Sequence, residues 1–476
     1  IALSLMITSV FAEKSKPNFL VVMLDDMAAD ALFDHRFPFL KTPHLDRLAR
    51  EGAVFDNMMV TTSLCSPSRA SILTGTYAHI HGVRNNSRKD PAPHLKQFPQ
   101  VLQQSGYTTA MIGKWHMARH ARPRPGFDYW FSFEGQGQYI NPEINENGVE
   151  KKMTGYVTDI LTDKTIGFLK ENKDKPFCIQ LWHKACHASF TPAPRHAMAF
   201  ADAEIKEPAS WSSDFSGLPR WIRRGMTYGV HYQRWVNSEG KPVPEKIPPT
   251  AWRPQDERRL NMLRCLLAVD EGLGRVMDTL EQQGRLDNTM IIFTADNGWF
   301  FGEHRRGDKR LAYEESMRIP FAIRYPPMLK GGSRVNGLLA SIDIAPTILD
   351  LAKATIPKSM QGESFVPVLE GKSDGREVPF FYQYFQEKYA PGIPTMLAIR
   401  TSDWKYITFP HESAEQGNFG ELYHLKNDPK ELKNLIHSDK AATQLAKMKK
   451  MLDRAKLQYG YTEPPYQYKP PGKANR

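Results

Sequence analysis

The sequence predicts an α/β protein: a large, mixed but mostly parallel sheet flanked by helices, followed by a smaller antiparallel sheet and a closing helix. Nearly continuous apolar runs recur at residues 17–24 (PNFLVVML), 108–112, 176–182 and 289–294. Each is short enough for a strand and apolar enough to be buried on both faces. Helical patterns at 43–51, 99–104, 157–171 and 256–283 separate them, and such alternation argues a parallel, doubly wound sheet. Beyond about residue 375 the pattern changes to short aromatic strands at 380–385, 396–400, 404–409 and 421–425, then a helix near 440–457. Two unequal units are expected, 17–375 and 376–476, as suits a chain of 476 residues.

In the helical pattern at 256–283, Leu260, Leu263, Leu267, Val269, Leu273 and Val276 trace one face, which reads as core packing. Residues 208–254 are rich in Trp, Arg, Gly and Pro and read as an irregular insertion over the sheet. Residues 1–12 are apolar and end in Val10-Phe11-Ala12, like the close of a signal peptide with its cleavage site, so export to the periplasm or beyond is expected. A buried N-terminal strand is the alternative. The Pro-rich stretch 464–471 reads as a surface extension.

An apolar content of 41% with 24% charged residues suits a globular enzyme, and no further stretch approaches a membrane span. The formal net charge of +11 draws anions: nucleic acid, anionic membrane or an acidic substrate. The basic residues are scattered, with local clusters at Arg220, Arg223, Arg224 and at Arg305, Arg306, Lys309, Arg310, and no zinc-finger or RNP1-type pattern accompanies them. A polyanionic saccharide is the expected partner, and nucleic acid is not. The four cysteines, Cys65, Cys178, Cys186 and Cys265, lack the close pairs of a zinc ribbon or a disulfide scaffold.

Open α/β sheets bind ligands beyond the carboxyl ends of their strands, and here those ends carry Asp25-Asp26, Lys114, His183 and Asp296-Asn297. The string Leu64-Cys65-Ser66-Pro67-Ser68-Arg69 reads as a helix start, with Pro67 in the first turn. Cys65 would then sit where unpaired N–H groups and the macrodipole favour an anion, making the thiol acidic. Arg69 lies one turn on, along the same face. A capped helix with an incidental cysteine is the alternative reading.

Cys65-Ser66-Pro67-Ser68-Arg69, followed by Leu73-Thr74-Gly75, resembles the signature of the type I sulfatases of the alkaline phosphatase superfamily, and the resemblance runs from Asp25 to about Leu435. It implies an alkaline-phosphatase-like fold and a Cys65 converted to formylglycine by a maturation enzyme. The aldehyde hydrate supplies one hydroxyl to attack sulfur and a second whose deprotonation expels sulfate, which a plain thiol could not do. The resemblance also implies a Ca²⁺ held by Asp25, Asp26, Asp296, Asn297 and the modified Cys65, a hard-oxygen set suited to calcium. Gly113-Lys114-Trp115-His116 resembles the segment that places Lys114 on sulfate and His116 as the base beside the diol. In His183-Lys184-Ala185-Cys186-His187, where Cys186 stands in place of the usual proline, His187 is the implied general acid, with His183 its competitor or a substrate contact. The segment from Gly302 through Ser316 makes Lys309 the second sulfate lysine, and Arg69 completes the catalytic set.

The strings around Cys65, Asn85-Asn86 and Asp308-Lys309-Arg310 look closest to N-acetylglucosamine-6-sulfatases and bacterial polysaccharide sulfatases. A sulfated carbohydrate is therefore the expected substrate, either glycosaminoglycan or mucin sugars or an algal polysaccharide such as ulvan. Arg220, Trp221 and Arg224 are candidate sugar contacts. A phosphonate or phosphate monoester hydrolase of the same superfamily, or a silent sugar-binding paralogue, are the competing readings.

Overall fold

The computed structural model describes residues 16–34, 36–211, 214–219, 221–222, 256–388, 390, 392–412 and 419–463. The expected signal remnant, most of the 208–254 insertion and the Pro-rich tail lie outside these residues, as do Arg220 and Arg224.

The first sheet contains β1 (Asn18–Leu24), β2 (Ala53–Met59), β3 (Thr108–Lys114), β4 (Tyr129–Phe133), β5 (Glu143–Glu146), β6 (Val149–Lys152), β7 (Phe177–Trp182), β8 (Thr289–Ala295), β9 (Arg318–Ile319), β10 (Phe321–Arg324) and β11 (Ser333–Ala340). Their order is β11-β2-β10-β8-β1-β7-β3-β4-β5-β6, with β9 beside β2. The centre, β8-β1-β7-β3-β4, is parallel throughout. β1, β7 and β8 are buried at every position, as their unbroken apolar runs require.

The flanks make the sheet mixed, as expected. β10 runs antiparallel to both β8 and β2, and β4, β5 and β6 pair antiparallel. The β5–β6 link is Asn147-Gly148, both at positive φ (49° and 95°). A two-residue Asn-Gly turn can join only antiparallel neighbours, and the dipeptide is itself a hairpin signal.

Register determines where function gathers. Met23 pairs with Trp182, Leu24 with Ala295, and Gly113 with Trp182. The residues that follow these strands, Asp25-Asp26, His183 and Asp296-Asn297, therefore emerge side by side, with Lys114 at the end of β3. Gly113 makes the close pairing possible: at φ 119°, a Cβ there would lie 1.9 Å from the Trp182 carbonyl oxygen.

The second sheet is an antiparallel meander, β12 (Phe380–Tyr384), β13 (Met396–Arg400), β14 (Trp404–Thr408) and β15 (Glu421–His424). The helix Ala442–Gln458 contacts β13 and β14. A separate core of Leu64, Tyr77, Phe381, Tyr382, Tyr423 and Leu452 joins this sheet to the chain just ahead of Cys65. The smaller unit thus braces one wall of the crevice.

Candidate active site

Helix Cys65–Thr74 begins at the crevice and is buried along its whole length. It stops at Gly75, which adopts the left-handed conformation (φ 63°) and donates its N–H to the Ser71 carbonyl at 2.9 Å. Cys65 is its first residue and wholly buried. Its Sγ lies 3.3 Å from Asp25 Oδ1 and accepts from Lys309 Nζ at 2.9 Å. The helix start and Arg69 stand as the sequence indicates, but the expected acidic thiol does not: burial, then the Asp25 charge, push the Cys65 thiol well up despite Lys309 and Lys114. Loss of water and a facing carboxylate outweigh the helix terminus.

The acids and cations interlock. Lys114 is ion-paired with Asp25, and Lys309 with Asp26. Arg69 donates Nε and brings Nη2 to the same Asp296 oxygen, at 2.9 and 2.8 Å, and its Nη1 donates to the Lys114 carbonyl at 2.5 Å. The guanidinium thus fixes Asp296 and the end of β3, with its charge 5.4 Å over the Trp182 ring. Burial alone would raise Asp25, but the charges of Lys114, Arg69 and Lys309 hold it well below the usual carboxylate range. Burial raises Asp26, and it pushes Asp296 up to about 6 with help from the Asp25 charge.

One oxygen from each of Asp25, Asp26 and Asp296 and the Cys65 sulfur lie within 4.8 Å of one another. Asn297 donates its amide to Asp26 Oδ1 at 2.7 Å and to the Gly298 carbonyl at 2.9 Å. Its Oδ1, and Asp26 Oδ2, are buried without a hydrogen-bond partner among the described residues. Two such orphaned hard acceptors beside two further carboxylates fit a divalent cation. In formal charges Asp25, Asp26 and Asp296 are matched by Lys114, Lys309 and Arg69. A divalent ion would therefore give the pocket the net positive charge an anionic ester needs.

Two imidazoles flank this group. His116, 6% exposed and at φ 60°, receives Ser66 Oγ at 2.7 Å on its carbonyl, while its Nδ1 lies 3.4 Å from the same hydroxyl. Burial, then Lys114, hold it well below the usual histidine range, hence neutral. His187 lies with Nε2 3.8 Å from Asp26 Oδ2. Its Nδ1 is 2.8 Å from the Ala188 carbonyl, which can only accept, so Nδ1 carries the proton and Nε2 faces the acids. Burial lowers His187 to about 3.

Of the remaining sequence candidates, the two among the described residues make no bond to this group. His183 is 1% exposed and donates its N–H to the Met23 carbonyl at 2.8 Å, with Nδ1 unpartnered among the described residues. Among the described residues no hydrogen bond or ion pair joins it to Cys65, Lys114 or Lys309. The partly buried Trp221 ring packs edge-on against Phe409 at 5.1 Å, on the core of the second sheet, so its bulk supports that sheet. Three neighbours were not assigned to the site from sequence, although Asn86 belongs to the Asn85-Asn86 string noted there. The Gln136 amide oxygen accepts from Lys114 Nζ. Asn86 Oδ1 receives the Ser66 N–H at 3.0 Å, and the Trp299 ring lies 6.0 Å from Lys309 Nζ. Gln136 lies in a Gly-flanked loop without a motif, whereas Trp299 directly follows Asp296-Asn297-Gly298 and could have been found from that adjacency.

The Sulfatase family model matches residues 17–354, and the model of the N-sulphoglucosamine sulphohydrolase C-terminal region matches 302–458. An N-acetylglucosamine-6-O-sulfatase of Bacteroides thetaiotaomicron is 34% identical over 95% of this chain and 88% of its own length. The human N-acetylglucosamine-6-sulfatase is 28% identical over 90% of this chain and 82% of its own. A solved structure of a protein in complex with its substrate D-glucosamine-2-N,6-O-disulfate superposes with a TM-score of 0.83, at 32% identity, over 95% of this chain and all of that one. With family models matching most of its length and a relative 34% identical over 95% of it, the chain belongs to the sulfatase family, the hydrolases of sulfuric esters.

Proposed function

We propose that this sulfatase removes a 6-O-sulfate from a glucosamine-type sugar of a sulfated glycan, through a formylglycine formed from Cys65. The observation that carries the chemistry is the convergence on one buried residue: Cys65 at a helix start, 2.9 Å from Lys309 and 3.3 Å from Asp25, with Lys114 paired to that same aspartate. The sugar class is supported by the 34% identical relative.

A formylglycine at position 65 would supply a hydrated aldehyde as nucleophile. Asp25, Asp26, Asp296 and Asn297 would hold a Ca²⁺, which offsets sulfate charge and favours ionisation of the attacking hydroxyl. This chain's own residues do the rest. Lys114 and Lys309 bring two buried ammonium groups to the sulfate oxygens, and each such preorganised donor can contribute about 3 to 4 kcal/mol in a desolvated site. Arg69 holds Asp296 and the carbonyl of Lys114, so it orients both a metal carboxylate and a sulfate lysine. His116, neutral in its buried setting, is placed to take the proton whose removal expels sulfate. His187 turns Nε2 into the pocket to protonate the departing sugar alcohol. Because burial keeps it neutral in the free protein, it must take up a proton from solvent as the anionic substrate binds, whose charge favours the imidazolium. Trp299, partly exposed beside Lys309, offers a ring face to the sugar. Export, and maturation by a formylglycine-generating enzyme, complete the reading. No helix among the described residues is long and apolar enough to cross a membrane.

The test is sulfate release by protein whose aldehyde has been verified by mass, from glucosamine-6-sulfate, galactose sulfate and ulvan-type oligosaccharide esters, with phosphate esters as controls. Release from the glucosamine ester, lost in Cys65→Ser, is expected. Release from ulvan esters alone would move the substrate to algal glycans. Phosphate release alone would remove the sulfatase chemistry.

A further inference from the structure

Lys184 is 3% exposed, and among the described residues no carboxylate lies within ion-pair distance of it. Its ammonium instead donates to two backbone carbonyls, Gln136 O at 2.9 Å and Ala188 O at 3.2 Å, and lies 4.7 Å over the ring of Tyr139. Burying a lysine without a counter-ion is costly, and burial lowers this one to about 8. A methionine would fill the same space without that cost, so what the ammonium holds is informative.

Each partner leads to the crevice. The Ala188 carbonyl is the acceptor of His187 Nδ1–H, the bond that turns Nε2 inward. The Tyr139 hydroxyl donates to the His187 carbonyl at 2.6 Å, and the His187 N–H donates to the carbonyl of Lys184 itself at 2.9 Å. Gln136, whose backbone Lys184 grips, meets Lys114 with its side chain. One cation thus ties the loop bearing His187 to the loop that touches a sulfate lysine.

We propose that Lys184 is a positioning residue for leaving-group protonation: its ammonium fixes the Ala188 carbonyl, which in turn fixes the tautomer and aim of His187. The proposal rests on the reading of His187 as proton donor. Lys184 does not touch substrate; it acts through His187, with Tyr139 as its second anchor. Its effect is therefore confined to esters whose alcohol must be protonated to leave, and aryl sulfates, whose phenolates leave unaided, are spared.

The test compares wild type, Lys184→Met and Lys184→Arg, all aldehyde-verified, on a glucosamine 6-sulfate and on a series of aryl sulfates of falling leaving-group pKa. Selective ¹⁵N-histidine NMR reports the His187 tautomer. General-acid catalysis is worth roughly 10²- to 10⁴-fold, so Lys184→Met is expected to lower kcat on the sugar ester about 10- to 100-fold. KM and aryl sulfate turnover should change by less than about 3-fold, with Lys184→Arg recovering part of the loss and Nδ1–H losing its exclusive hold in the methionine variant. Should that variant fail to fold, Tyr139→Phe removes the neighbouring anchor and is expected to give the same selective loss. Equal losses on sugar and aryl esters, or an unchanged tautomer with full sugar turnover, overturn the proposal. A wild type that releases sulfate from no ester overturns the reading of function instead.

Discussion

The hydroxyl of Tyr382, on the second sheet, accepts the backbone N–H of Ser63 at 3.2 Å, two residues ahead of Cys65. It also donates to the carbonyl of Arg310 at 2.7 Å, the residue after Lys309. One buried phenol of the smaller unit therefore spans the two segments that bring Cys65 Sγ and Lys309 Nζ within 2.9 Å. Tyr382→Phe strands a donor and an acceptor in a buried place, which costs about 1–3 kcal/mol for each unsatisfied group. Urea unfolding should show a loss of that order. Sulfate release should fall through kcat, because the spacing of residues 65 and 309 loosens while substrate contacts remain. A variant as stable and as active as wild type would show that the second sheet does not set the geometry of the first.

Gly113 lies where β3 and β7 approach, with φ at 119° and the Trp182 carbonyl 1.9 Å from where a Cβ would stand. Gly148 has a comparable φ of 95° but nothing within 4 Å. The pair separates backbone strain from steric collision. Gly148→Ala should cost about 1–3 kcal/mol, as expected of a non-glycine residue held in a sparsely populated region. Gly113→Ala adds a clash that only moving a central strand can relieve, so it should fail to accumulate as folded protein or should melt far below Gly148→Ala. Equal melting temperatures for the two variants would refute the assignment of Gly113 to close packing.

The legible part of this molecule was the part encoded in contiguous residues. β1, β3, β7 and β8 are buried on both faces and so read as plain apolar runs, and the ends of those strands carry Asp25, Asp26, Lys114, Asp296 and Asn297. The strands of the antiparallel flanks were not legible. β10 is four residues long, and β6 is exposed along its length, so neither has a hydrophobic pattern to find. Gln136 and Tyr382 reach the crevice through tertiary contact alone, which no spacing announces. The Cys65 thiol was misjudged for a related reason. Its helix terminus is written in the sequence, but the desolvation and the facing Asp25 that push it up are properties of the packed state.

Glu421 gives a pH dependence with a definite sign. Burial pushes its carboxyl up to about 7, against hydrogen bonds from Tyr313 and Tyr423 at 2.6 and 2.5 Å and the charges of Lys405 and Arg306. A folded-state value above the ordinary 4.5 means that the folded protein binds this proton more tightly than the unfolded chain. The stabilisation is complete below about 4.5 and is lost as pH rises through about 7. Its size is on the order of 3 kcal/mol. Unfolding free energies of wild type should decline relative to Glu421→Gln across that window, and the difference should be flat above it. Burial also raises Glu431 and Glu315, so the difference between the two proteins, rather than the wild-type curve, is the quantity to measure. A flat difference from pH 4 to 8 would mean that Glu421 ionises freely in the folded protein.

The carboxylates around Cys65 could serve a cation, or they could be nothing more than partners for Lys114, Lys309 and Arg69, and the two roles respond differently to Ca²⁺. If they hold a cation, a chelator should lower the melting temperature and added Ca²⁺ should restore it. A ligand at 100 times its dissociation constant stabilises by about 2.7 kcal/mol. Asn297→Ala is the sharper probe. It removes the buried Oδ1 that lacks a partner and takes no charge from the lysines, so it should weaken the Ca²⁺-dependent shift about tenfold or more in midpoint, as loss of a support for a metal centre does. Stability in chelator should change far less. Asp26→Asn, by contrast, removes the partner of Lys309, and should destabilise the protein with or without Ca²⁺ because it leaves a buried ammonium uncompensated. Melting temperatures that ignore both chelator and Ca²⁺ in wild type, with Asn297→Ala indistinguishable from it, would leave the acids as a salt-bridge network and remove the metal from the mechanism.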